Sequence, residues 1–148
     1  MSYLLDTNAC IALMNGTPSA VRSRFEKAVR EDFHVYVSSV VAFELWYGVS
    51  KSARIETNTQ RLEMLLSSSI IALPFENEDS RAAGTIRVAL EAAGKPIGAY
   101  DYLIAGQALA RQLTLVTSNV SEFSRVKGLS WQDWAKPLAW SRTSTCGN

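Results

Sequence analysis

The sequence predicts an α/β domain with a mainly parallel central sheet flanked by helices. Three observations predict it. Apolar runs of strand length recur along the chain, stretches of helical period separate them, and acids stand where strand-like runs give way to helices.

Tyr3 to Leu5 reads as a buried strand, followed by a short helix over Ala9 to Met14 that Asn15-Gly16 stops. Pro18-Ser19 opens a second helix to about Arg30, with Val21, Phe25 and Val29 on one face. His34 to Val37 is the next strand, and Ser38 or Ser39 caps the helix that carries Glu44. A polar amphipathic helix over about Glu56 to Leu66 leads into the strand Ile70 to Leu73. Asn77 to Ala93 forms a long helix closed by Gly94. After the Lys95-Pro96-Ile97-Gly98 loop, Asp101 opens a helix running from Tyr102 to Gln112, and Leu113 to Thr117 is the last predicted strand.

The chain has 148 residues, 47% of them hydrophobic, enough for one domain with a sizeable core. A single unit is expected over residues 1–138, with 139–148 a disordered polar tail. The apolar stretches are too short and interrupted for a membrane span, and the start of the chain lacks a basic region followed by an apolar run, so a cytoplasmic location is expected. Two cysteines make no disulfide framework: Cys10 is expected in the core and Cys146 in the tail. A net charge of +1 argues against broad phosphate neutralisation, although Lys51, Arg54 and Arg61 form a local basic cluster.

Asp6, Glu44 and Asp101 carry the chemical signal. In a parallel sheet the strand ends share one edge, so acids far apart in sequence can meet there. Two carboxylates about 4 Å apart repel by roughly 4 kcal/mol at an effective dielectric near 20, so a cluster implies a cation or a shared proton. Each acid also has a plainer reading: Asp6 as a helix cap, Glu44 on a half-exposed helix face, Asp101 as a first-turn residue favoured by the helix dipole. Carboxylates with water suit Mg²⁺, and one or two such ions can serve phosphodiester hydrolysis. Thr7, Asn8 and Thr117 are candidate donors that fix carboxylate rotamers. The single histidine, His34, stands beside no motif, which argues against histidine-based RNA cleavage. A phosphatase with an aspartate nucleophile would want an acid at Asn8. A response-regulator-like domain needs an acidic pair before Asp6 and a lysine after the last strand, and neither is present.

Four blocks bear a family resemblance: Leu4-Leu5-Asp6-Thr7-Asn8, Ser39 to Gly48 around Glu44, Gly94 to Gly106 around Asp101, and Val116 to Val126. Together they resemble, in order, the motifs of PIN-domain ribonucleases of the VapC toxin type, over roughly Met1 to Trp134. The resemblance implies a Mg²⁺- or Mn²⁺-dependent endoribonuclease, with transfer RNA a frequent target, held inactive by a VapB-like antitoxin, and commonly a homodimer. It implies that Asp6, Glu44 and Asp101 hold the metal. Many members place a fourth acid where this chain has Asn119. Either Asn119 ligates through its amide oxygen or water, or Glu122 supplies the charge; Asn119 is taken into the catalytic set and Glu122 held as the lesser candidate. In the family a groove between helices receives the antitoxin, so an exposed apolar remainder of Phe43 to Leu66 would mark that interface, with Trp46 and Tyr47 as anchors. The alternatives are a stand-alone RNA-processing nuclease and a catalytically silent PIN module that only binds RNA or protein.

Overall fold

The computed structural model describes residues 1–136. The expected domain boundary at 138, the tail and Cys146 lie outside the described residues. Five strands form one sheet: β1 (Ser2–Leu5), β2 (His34–Ser38), β3 (Ile70–Leu73), β4 (Thr114–Val116) and β5 (Trp131–Gln132). Their order is β3-β2-β1-β4-β5 and every pairing is parallel, with Tyr3 opposite both Val35 and Thr114. The helices are α1 (Thr7–Asn15), α2 (Ser19–Arg30), α3 (Ser39–Ser50), α4 (Ile55–Leu66), α5 (Asn77–Ala92), α6 (Ala99–Ala110) and the single-turn α7 (Val120–Phe123).

The central strands read as continuous apolar runs because both faces of the sheet are covered. Leu4, Leu5, Val35, Val37, Leu115 and Val116 are all buried. Against them pack Cys10 and Leu13 of α1, Val41, Leu45 and Val49 of α3, and Ile104, Ala105 and Ala108 of α6. Burial also pushes the Cys10 thiol up, so it stays protonated and behaves as a small apolar side chain. At the β5 end, Trp134 meets Tyr3 edge to face, ring centroids 5.1 Å apart.

Helices α5 and α6 approach so closely that a Cβ on Gly106 would sit 2.5 Å from the Ala83 backbone nitrogen, so only glycine fits. Their far ends are locked by a buried acid. Asp79 is wholly inaccessible and accepts from the Glu76 backbone N–H at 2.8 Å and from Arg111 Nε at 3.0 Å. Gln107 reaches the same carboxylate at 3.4 Å and the Pro74 carbonyl at 3.1 Å. This lock sets the direction of α6 and therefore where its first turn, with Asp101, is delivered.

Running β1 to β2 to β3 extends the sheet one way, whereas β4 and β5 are added to the other edge of β1. The direction of winding thus reverses between β1 and β4. In parallel α/β sheets the crevice beyond the carboxyl ends of the strands at such a reversal is where ligands bind.

Candidate active site

Asp6 follows β1 directly and caps α1: its backbone N–H continues the ladder to the Val116 carbonyl at 3.0 Å, and Oδ1 accepts from the Ala9 N–H at 2.8 Å. Capping and site membership therefore coexist in one residue. The side chain is only 4% exposed, and the Thr117 hydroxyl at the end of β4 also donates to it. Burial raises its pKa; the two donors oppose this, and the charges of Glu44 and Asp133 add to it.

Glu44 was expected near the start of its helix. It lies instead in the second turn of α3, a helix that Ser38 caps by accepting from the Val40 N–H at 3.1 Å. That extra turn carries Glu44 back over α1, where Thr7 Oγ1 donates to Oε1 at 2.9 Å. Ser39, the other capping candidate, accepts from the Phe75 N–H at 3.0 Å and ties down the segment after β3.

Asp101 sits in the first turn of α6, which begins at Ala99 rather than at Tyr102. A side chain on Gly98 would crowd it, since a Cβ there would lie 3.0 Å from Asp101 Oδ2. Its pKa is pushed up to about 7, by burial first, then by the hydrogen bond and charge of Glu122, then by Glu44 and Asp6. Glu122 moves the opposite way: hydrogen bonds from Asp101, the Asn119 amide and the Gly98 N–H hold it below the usual carboxylate range, helped by the charge of Arg125. The contact between the two carboxyls favours a proton shared within the pair, which holds Asp101 up and Glu122 down.

The structure places the Asn119 and Glu122 side chains against each other. Asn119 Nδ2 donates to Glu122 Oε2 at 2.9 Å. A carboxylate only accepts, so the amide must present its nitrogen, and its oxygen turns to Ser121 Oγ at 3.4 Å. Asn119 thus orients Glu122, whose carboxylate reaches Asp101. The signal was the i, i+3 spacing across the start of a one-turn helix, which brings the two side chains together. Thr117 links both halves, donating to Asp6 and accepting from the Asn119 N–H at 2.9 Å. Asn8 is exposed and, among the described residues, makes no side-chain hydrogen bond to the acids. His34 opens β2 at the opposite end from Ser38, away from this edge.

Among the described residues, none of the four acids forms an ion pair with Lys or Arg. Nor do three of them close into a ready metal cage. Mutual repulsion resists close approach when no cation is present. The donor set nevertheless fits a hard divalent ion: oxygen ligands only, negative charge in excess, and pKa values of Asp6 and Asp101 raised partly by neighbouring acids.

Beside Glu44 a cleft of about 250 Å³ runs between α1, α3 and α4, lined by Thr7, Ile11, Met14, Gly48 and Arg61 among others. It continues past Met14 and Arg61 into a groove of about 400 Å³ towards Phe25 and Met64. Arg61 stands where the two meet, bonded to the Met14 carbonyl at 2.6 Å. Trp46 does not line the cleft, because it lies about 200° around α3 from Glu44. Among the described residues no helix is long and apolar enough to cross a membrane.

A parallel five-stranded sheet with carboxylates gathered at its carboxyl edge is the architecture of the PIN domain, whose family model matches residues 3–129. The chain is 38% identical over 135 residues to the tRNA(fMet)-specific endonuclease VapC of Shigella flexneri, covering 91% of this chain and 99% of that protein. It superimposes on the crystal structure of VapBC2 from Rickettsia felis, bound to a DNA fragment from its promoter, with a TM-score of 0.83 and 36% identity over 89% of this chain and 98% of that one. DNA-bound VapBC from Salmonella typhimurium matches as well, at 0.83 and 35% identity, covering 90% of this chain and 98% of that one. The chain belongs to the PIN-domain family, among the VapC ribonucleases.

Proposed function

We propose that this chain is the toxin of a type II toxin–antitoxin pair: a Mg²⁺- or Mn²⁺-dependent endoribonuclease that cleaves RNA of the transfer-RNA class in the cytoplasm and is silenced by a VapB-like antitoxin. The reading is supported by Asp6 at the end of β1, by Asp101 raised partly through Glu122, Glu44 and Asp6, and by the absence of a paired Lys or Arg at these acids among the described residues. Kinship with ribonucleases and with toxin–antitoxin complexes supports the substrate and the partner.

Asp6, Glu44 and Asp101 are the residues that would hold the ion. When bound, the ion supplies Lewis acidity, offsetting charge on the phosphate and activating water. Thr117 and Thr7 keep the Asp6 and Glu44 carboxylates in fixed rotamers, so little reorganisation remains at the moment of reaction. Asp101 would release its proton to solvent for a cation to bind there. Glu122, held ionised by Asn119 and the Gly98 N–H, would add negative charge beside Asp101 and favour the bound cation. The cleft between α1, α3 and α4 is the path for an antitoxin segment, because it is largely apolar and ends at Glu44, where a guanidinium would pair with the acids.

The test uses purified, antitoxin-free protein. Cleavage of transfer RNA with Mg²⁺ or Mn²⁺, its loss in EDTA and in Asp6→Asn, and its block by the product of the adjacent reading frame are expected. Undiminished cleavage in EDTA refutes the metal mechanism. A complex that leaves cleavage unchanged refutes the toxin assignment in favour of a stand-alone nuclease.

A further inference from the structure

The acids are flanked by half-exposed aromatic side chains. Phe43 precedes Glu44 on α3 and Tyr100 precedes Asp101 on α6, and each is 48% exposed. The two rings meet edge to face, centroids 5.6 Å apart, bridging the two acid-bearing helices on the solvent side. One turn further along α3, Tyr47 is 61% exposed, and Lys51 Nζ lies 4.8 Å from the centre of its ring.

Phe43, Tyr47 and Lys51 recur every fourth residue, so they form one stripe, about 6 Å apart along the helix and about 40° apart around it. Glu44 lies only about 100° from the head of that stripe. The stripe therefore starts beside the acids and ends in a cation. The step of one helical turn is comparable to that between successive bases of an extended single strand. Aromatic faces in series with a basic end are how single strands are held without reading their sequence, the rings taking bases and the cation a phosphate.

We propose that Tyr100, Phe43 and Tyr47 are a stacking platform for bases flanking the scissile phosphate, with Lys51 contacting the backbone. The inference rests on the ribonuclease reading above. A base inside a duplex already has both faces stacked, so only a splayed nucleotide can use the platform. Charge favours RNA as the occupant: the acids beside Phe43 need a cation that a phosphate chain tolerates, and the sole charge on the stripe itself is the positive one of Lys51. These residues position substrate and do not take part in bond making.

The test places 2-aminopurine beside the cleavage site of a single-stranded oligoribonucleotide. With Asp6→Asn keeping the RNA intact in Mg²⁺, binding is expected to quench the fluorophore. Adding Phe43→Ala and Tyr100→Ala should remove the quench and weaken binding roughly ten- to hundred-fold; Phe43→Tyr with Tyr100→Phe should restore both. In the otherwise wild-type enzyme the alanine pair should raise KM at least about ten-fold with kcat little changed, while Lys51→Ala should flatten the salt dependence of binding. If wild type cleaves but the alanine pair leaves KM and quenching unchanged, stacking is overturned alone. If the pair instead alters only the oligomeric state seen by light scattering, the patch joins two copies of the chain and the inference falls. If wild type cleaves no RNA, the ribonuclease reading fails and takes this one with it.

Discussion

Replacing Asp101 by Asn is expected to abolish cleavage and yet stabilise the metal-free fold above pH 7. Folded Asp101 holds its proton up to about pH 7, against an ordinary value of 3.8. Between those values the folded protein carries a proton that the unfolded chain has lost, so stability falls as pH rises through the window and is lowest above it. The shift of about three units corresponds nominally to about 4 kcal/mol at 1.36 kcal/mol per unit, and solvent screening at a half-buried side chain reduces this to about 2 kcal/mol. Asparagine removes the charge, keeps the volume, and its amide can donate to Glu122 as the shared proton does. In EDTA at pH 8 the variant should melt roughly 4 to 8 °C above wild type, with the gap narrowing as pH is lowered to 5. Thermal unfolding of both proteins across that range is the assay. A gap of zero at pH 8, or one that widens towards pH 5, would refute the idea that the ionised acids strain the fold.

Because protons compete with a cation at Asp101, Mg²⁺ should raise the melting temperature of wild type more at pH 8 than at pH 6, and an equal rise at both would separate binding from this carboxyl. Thr7→Val removes the 2.9 Å donor to Glu44 at nearly constant volume; cleavage should drop about ten-fold while stability changes by about 1 kcal/mol or less, measured by single-turnover rates and urea unfolding. Asn119→Ala should lower activity more than Ser121→Ala, because only the first frees Glu122; equal effects in rate assays would contradict the assigned contact. Gly106→Ala should cost about 2 kcal/mol or more in urea unfolding, since its Cβ would meet backbone rather than a movable side chain.

Four of the five strands and the first six helices are legible as alternating apolar runs and amphipathic stretches, because burial on both faces of the sheet writes itself into composition. Strand β5 is not, since Trp131–Gln132 is too short for any period and exists only by pairing with β4. That Asp6, Glu44 and Asp101 lie towards one edge follows from strand ends sharing it, but the contact of Glu44 with Thr7 depends on how α3 packs over α1, which the sequence does not write. That Asn119 turns its amide nitrogen to Glu122 is invisible in sequence, because donor direction is set by the neighbours the fold supplies. Asp79 passes for a solvated acid beside Glu76 and Glu78; only the fold brings Arg111 and Gln107 around it.

The reversal of winding at β1 also governs when the site comes into being. Strand β1 is made first, but one of its two neighbours, β4, arrives more than a hundred residues later, and Glu122 later still. Thr117, which holds Asp6 in place, belongs to that same late segment. A ribosome-bound chain that has displayed Asp6, Glu44 and Asp101 therefore still lacks the strand that aligns them. A ribonuclease wired in this order stays harmless to the translation machinery until the β4 segment has emerged, which leaves time for an inhibitor made alongside it to be waiting.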